Sequence, residues 1–88
     1  MLHTLPGKKI HYQKLLIATG ASPCRLSLPG AALPGIFHLY SLTDAESIRS
    51  SAHKGRHAVV IGGSFIGLEV AASLRQRGLA VTLIERGV

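Results

Sequence analysis

The sequence predicts an α/β fold organised around one βαβ unit between His57 and Glu85. Residues 59–61 form a β-branched run next to glycines, which is typical of a strand buried on both faces. A glycine-rich turn and a stretch with helical spacing of apolar residues follow at once. A second apolar run, residues 81–84, then predicts another strand that ends at Glu85.

The predicted helix of this unit has one apolar face. Ile66, Val70 and Leu74 recur at every fourth residue, so they lie on one side of a helix. Small residues and Leu74 mark the neighbouring side, at Gly67, Ala71, Leu74 and Gly78. We expect Gly78 to end the helix.

The glycine-rich turn has the chemistry of a dinucleotide site. Gly62 permits a tight turn out of the strand, and Gly67 allows the helix and strand to pack closely. A pyrophosphate is expected at the helix N-terminus, where unpaired N–H groups and the positive end of the helix dipole face it. The alternative is a buried strand-to-helix turn in some other α/β protein.

Glu85 is the candidate ribose-binding residue. It lies 23 positions after Gly62, near the spacing of about 20 residues expected for a carboxylate that binds ribose hydroxyls. A carboxylate there repels a 2′-phosphate, so NADH is favoured over NADPH. The neighbouring Arg86 weakens that preference.

Ser64 departs from the G-x-G-x-x-G pattern, because it stands where the middle glycine is usual. Its Cβ would crowd the pyrophosphate. Its hydroxyl could instead bond to phosphate or cap the helix.

Composition excludes several function classes. The chain has 88 residues and a formal charge of +6, which raises a nucleic-acid hypothesis. The basic residues are scattered and not interleaved with aromatic side chains, so a solvated surface and no nucleic-acid partner are expected. No metal site is expected: His53 and His57 flank a loop glycine, and Cys24 is a single, half-buried loop thiol by expectation. No membrane span or signal peptide is evident, so the expected location is cytoplasmic.

The first third of the chain predicts a hairpin, a strand and a long loop. Pro6 and Gly7 indicate the hairpin turn. Residues 15–18 predict an apolar strand that ends at Thr19-Gly20, which is either a ligand-facing turn or an ordinary strand end. Three prolines and two glycines leave no regular element in residues 21–35.

A second helix is predicted before the βαβ unit. A short extended segment at residues 36–40 leads to Thr43, the expected N-cap, with Glu46 completing a capping box. The helix is expected to reach about Lys54, before Gly55. Ile48 is taken as its only large apolar residue, so we expect it to lie on the surface.

Three stretches together resemble the FAD-dependent pyridine nucleotide-disulfide oxidoreductases, and most of all the NADH:ferredoxin, rubredoxin and rhodocoxin reductases. Residues 12–20 resemble the second FAD motif, with Gln13 where aspartate is usual. Residues 33–37, with Asp44-Ala45, resemble the connection between the FAD and NAD domains. Residues 62–85 resemble the NAD motif.

The resemblance implies a role for ten residues. Ala18, Thr19 and Gly20 would touch FAD through backbone groups. Gly62, Gly63, Ser64 and Gly67 would hold the NAD pyrophosphate, and Glu85 the ribose. Ile66 and Glu69 would line the nicotinamide position, although Glu69 can equally be a favourable acid in the first helical turn. No catalytic residue is expected among them.

The resemblance also implies a domain organisation and a function. Residues 1–35 would end the first FAD-binding segment, and residues 36–88 would begin a Rossmann-like, three-layer NAD(H)-binding domain. The parent protein would pass hydride from NADH to FAD and electrons to a ferredoxin- or rubredoxin-type acceptor. The chain would be an internal piece of it and inactive alone; the alternative is a truncated, non-catalytic nucleotide-binding remnant.

Overall fold

The computed structural model describes residues 1–87 and contains two helices and two small sheets. The strands β1 (Leu2–His3) and β2 (Lys9–Ile10) pair antiparallel, with Leu2 opposite Ile10. Gly7 closes their turn with φ +93°, a conformation that glycine adopts without steric cost. The predicted hairpin is therefore confirmed.

The βαβ unit is also confirmed. Strand β3 (His57–Ile61) runs parallel to β4 (Ala80–Ile84), and the helix α2 (Phe65–Gln76) connects them. The register pairs His57 with Ala80 and Ile61 with Ile84. Gly78, with φ +87°, follows the helix C-cap at Arg77 and turns the chain into β4.

The buried cluster lies between the helices and one face of this sheet. Ala52, Leu74 and Leu79 are buried. Partly buried apolar side chains surround them, namely Ile48, Ala58, Val60, Val70 and Val81. Helix α1 (Leu42–Ser51) has no buried residue, in agreement with its expected surface position, although Ile48 and the C-cap residue Ala52 pack on this cluster.

The sequence predicts that both faces of strand β3 are buried, but only one of them is covered. Its residues alternate between exposed and half-buried, and Val59 and Ile61 are 56% and 63% exposed. Helix α2 covers the face of Ala58 and Val60, while no helix of the described chain covers the other face. The β-branched run correctly predicts a strand, but it does not determine whether one or both faces of that strand are covered.

The predicted strand at residues 15–18 is absent, although the loop predicted for residues 21–35 is confirmed. Leu16 and Ile17 are 86% and 75% exposed, and no described strand pairs with them. A strand needs a partner to satisfy its backbone N–H and C=O groups, and an apolar run does not supply one. Cys24, expected to be half-buried, is exposed in the loop.

Helix α1 begins two residues before its predicted start. Ser41 is the N-cap, with φ −114° and ψ 167°, and its hydroxyl accepts a hydrogen bond from the Asp44 N–H at 3.1 Å. Asp44 in turn accepts from the Ser41 N–H at 2.8 Å. The same capping-box spacing occurs at Thr43 and Glu46, but the structure uses the earlier pair. The helix also ends at Ser51 rather than near Lys54.

Candidate functional site

The glycine-rich turn lies between the C-terminal end of β3 and the N-terminus of α2. Gly62 has φ +109°, so a side chain at this position would be strained. Its N–H donates to the Ile84 carbonyl at 2.9 Å, which fixes the turn to the end of β4. The predicted role of Gly62 in the tight turn is confirmed.

Gly67 brings the helix close to the strand. A Cβ atom built at Gly67 would collide with the carbonyl oxygen of Gly62 and lie 3.7 Å from a methyl group of Val60. Gly67 is itself buried. Its expected packing role is therefore confirmed, and the obstacle is backbone that cannot rotate away.

Ser64 is the N-cap residue of α2, but its hydroxyl makes no capping hydrogen bond. The Ser64 carbonyl instead accepts from the Leu68 N–H at 2.9 Å. Of the two roles considered for this hydroxyl, helix capping is not realised. The side chain is exposed at the mouth of the turn.

The carboxylate of Glu85 reaches back to the turn. Its Oε2 accepts the Gly63 N–H in a short hydrogen bond, and its Oε1 accepts the Arg86 N–H at 2.9 Å. The Gly63 N–H, followed by that of Arg86, lowers the pKa of the Glu85 carboxyl. This glutamate is therefore ionised at neutral pH, and it places a negative charge at the N-terminal end of α2.

This contact tests whether an anionic group fits the turn. The Glu85 carboxylate already accepts the Gly63 N–H, so the turn presents a backbone group that donates to a negatively charged oxygen. The first N–H groups of a helix such as α2 have no intrahelical acceptor and point out of its N-terminal end. The residues present thus fit a pyrophosphate, provided that the Glu85 carboxylate moves away from Gly63.

The site residues fall into separate groups. Gly62, Gly63, Ser64, Gly67 and Glu85 come together around the turn. Ile66 is exposed on the first turn of α2. Glu69 is exposed and lies beyond the first turn of α2, which has no acidic residue, so its alternative role as a first-turn acid is wrong. It lines a cavity of about 350 Å³ between α1 and α2, together with Ile48, Arg49 and Arg77.

Ala18, Thr19 and Gly20 lie outside this group. Among residues 1–87 no hydrogen bond joins them to the glycine-rich turn. Gly20 has φ +78°, and the residue against it is Tyr40, whose phenol oxygen accepts the neighbouring Ala21 N–H at 2.9 Å. Sequence reasoning missed Tyr40, because a tyrosine 19 residues away in an irregular segment carries no periodic or motif signal.

The comparisons with known proteins agree with this geometry. The family described as pyridine nucleotide-disulphide oxidoreductase matches residues 2–88. The chain belongs to this family. Its predicted α/β class, that of a partial Rossmann-like domain, is confirmed as well.

Named relatives are similar over most of the chain. Rhodocoxin reductase of Rhodococcus erythropolis is 50% identical over 76 residues, covering 86% of the chain and 18% of the relative. Rubredoxin-NAD(+) reductase of Pseudomonas putida is 43% identical over 79 residues, covering 90% and 20%. The biphenyl dioxygenase system ferredoxin–NAD(+) reductase component of Paraburkholderia xenovorans is 38% identical over 81 residues, covering 92% and 20%.

The chain therefore spans about a fifth of the length of these curated relatives. No solved structure matched it significantly. Within residues 1–87, neither helix has the length and apolar character that crossing a membrane requires.

Proposed function

We propose that the protein containing this chain is an FAD- and NADH-dependent reductase that delivers electrons to a ferredoxin- or rubredoxin-type acceptor. Family membership supports an oxidoreductase, and the names of the relatives supply the class of acceptor. When bound, the two cofactors supply the redox chemistry, and the protein positions them. Residues 1–35 belong to the FAD-binding part and residues 36–88 to the NAD(H)-binding part in this proposal.

The observation that carries the proposal is the set of contacts around the glycine-rich turn. Gly62 and Gly67 let the α2 N-terminus approach the end of β3, and Gly63 presents a donor to an anionic oxygen. The Ser64 hydroxyl, which has no hydrogen bond among residues 1–87, adds a second donor beside it. These groups bind and orient a pyrophosphate, while Glu85 is held at the end of β4, where an adenosine ribose would lie.

The charge of Glu85 favours NADH. A glutamate carboxyl is ionised at neutral pH even without the Gly63 hydrogen bond, so the carboxylate of Glu85 repels a 2′-phosphate. Ile66 and Glu69 are assigned to the nicotinamide side of the site, and Ala18, Thr19 and Gly20 to FAD. The FAD contacts are made through backbone groups in this proposal.

The 88-residue chain alone is proposed to be inactive. Among residues 1–87, no hydrogen bond joins the proposed FAD segment, Ala18–Gly20, to the glycine-rich turn. The apolar face of β3 bearing Val59 and Ile61 is also left open.

Activity of the complete protein tests the proposal. We expect purified complete protein to contain flavin and to reduce a ferredoxin-type acceptor with NADH. A complete protein without flavin would refute the reductase and favour the alternative of a nucleotide-binding remnant. NADH oxidation by the 88-residue chain with added FAD would instead refute its proposed inactivity.

A further inference from the structure

Tyr40 makes a contact that links two distant parts of the chain. Its phenol oxygen accepts the N–H of Ala21 at 2.9 Å, across 19 residues of sequence. A Cβ atom on Gly20 would lie only 2.7 Å from the same oxygen. The phenol is therefore seated directly against the turn that ends the segment Ala18, Thr19 and Gly20.

The backbone of Tyr40 is hydrogen-bonded to the N-terminal cap of α1. Its N–H donates to the Asp44 carboxylate at 3.1 Å, and the same carboxylate accepts from the Ser41 N–H at 2.8 Å. The hydrogen bonds from Ser41 lower the pKa of Asp44, so the carboxylate stays ionised at neutral pH. Tyr40 thus projects from a fixed helix start.

The contact between Tyr40 and Ala21 is the only hydrogen bond of its kind among the described residues. Of the hydrogen bonds within residues 1–87, the bond between Ala21 and Tyr40 alone joins residues 1–35 to residues 36–87. No helix or strand lies between Ala21 and Tyr40. Among residues 1–87, the phenol is therefore the hydrogen-bonding link between the Gly20 turn and the start of α1.

We propose that Tyr40 is a positioning residue for flavin binding, which acts by fixing the backbone of the Thr19-Gly20-Ala21 turn. This inference rests on the proposed function, because that function assigns the turn to FAD. Tyr40 acts through the Ala21 N–H and is not itself assigned a contact with the cofactor. Losing the phenol oxygen frees the Ala21 N–H and lets the turn sample other positions, so FAD then has to order it on binding.

The test compares Tyr40→Phe with Thr43→Ala in the complete protein. Both changes remove a hydroxyl near the start of α1, but the Thr43 side chain has no hydrogen bond among residues 1–87 and lies outside the contact. We expect Tyr40→Phe to weaken FAD binding about two- to tenfold, the effect of one net hydrogen bond. Thr43→Ala should bind FAD like the unmodified protein, and the KM for NADH at saturating FAD should be unchanged in both variants.

Amide hydrogen exchange separates positioning from general destabilisation. In Tyr40→Phe, the Ala21 amide should exchange about two- to tenfold faster, while the Ser41 amide, which is held by Asp44, keeps its rate. Equal acceleration of both amides would indicate loss of fold and would overturn the assigned role.

A double-mutant cycle with Gly20→Ala adds a second readout. The new Cβ meets the phenol oxygen in the unmodified background but not in Tyr40→Phe, so the two changes together should weaken FAD binding by less than their separate effects combined. Unaltered FAD affinity in Tyr40→Phe overturns this inference alone. Absence of FAD from the unmodified complete protein overturns the proposed function, and the flavin role of Tyr40 with it.

Discussion

Replacing Gly67 by alanine tests the close approach of α2 to β3, on which the proposed dinucleotide site depends. The new Cβ would collide with the Gly62 carbonyl oxygen and lie 3.0 Å from the Gly62 carbonyl carbon. Both atoms belong to the turn backbone, whose N–H is bonded to Ile84. The helix or the turn must therefore shift.

The expected cost follows from two opposing effects. Alanine inside a helix is more favourable than glycine by about 1 kcal/mol. Overpacking in a fixed environment costs about 1–3 kcal/mol, and an immovable backbone obstacle places Gly67→Ala at the upper end. We therefore expect a net loss of about 1–2 kcal/mol in the free energy of unfolding.

Urea unfolding followed by circular dichroism measures this loss, with Gly63→Ala as the matched control. A Cβ on Gly63 lies 2.6 Å from Oε2 of Glu85, an exposed side chain that can rotate away. Gly63→Ala should therefore change the stability far less than Gly67→Ala. If Gly67→Ala were as stable as the original protein, that result would contradict the close packing of Gly67 against the Gly62 carbonyl.

Three further predictions concern the cap of α1 and the charge of Glu85. Ser41→Ala should lower the free energy of unfolding by about 1 kcal/mol, whereas Thr43→Ala should change it little; urea titration checks both, and the reverse order would restore Thr43 as the N-cap. The pKa values of Asp44 and Glu85 are lowered in the fold, so their contributions to stability are present above the unfolded pKa values and are lost as the pH falls through the folded ones. Unfolding midpoints should therefore decline in acid, and less steeply in Asp44→Asn; equal declines would contradict the cap geometry. Glu85→Gln in the complete protein should reduce the preference for NADH over NADPH by roughly fivefold, the effect of two like charges about 4 Å apart in water. The ratio of the two kcat/KM values measures it, and an unchanged ratio would remove Glu85 from the ribose site.

The βαβ unit could be predicted because its signals are local. Each signal determines the conformation of its own segment. These signals are the β-branched run, the glycines at 62 and 67, and the four-residue spacing that ends in Leu74. Gly78 ends the helix for a similarly local reason, since a positive φ suits glycine.

Other features depend on partners that sequence patterns do not name. Residues 15–18 are apolar enough for a strand, but no strand in the described chain pairs with them. The two overlapping capping boxes at the start of α1 look equivalent in sequence, and only the geometry shows that Asp44 binds back to Ser41 and Tyr40.

Part of the candidate site was equally hidden. The sequence predicts a ribose-binding role for Glu85, but the contact of Glu85 with the Gly63 N–H depends on the parallel register of β3 and β4. The contact of Tyr40 with Ala21 spans 19 residues of irregular chain, and no sequence motif predicts it.

The central claim is that this chain is part of a flavin-dependent NADH reductase. Its most direct test is an anaerobic titration of the purified complete protein with NADH, followed through the visible absorbance of flavin. The proposal predicts that flavin copurifies and that NADH bleaches it, with much less effect from NADPH. A complete protein that carries no flavin, or whose flavin NADH leaves oxidised, would contradict the claim.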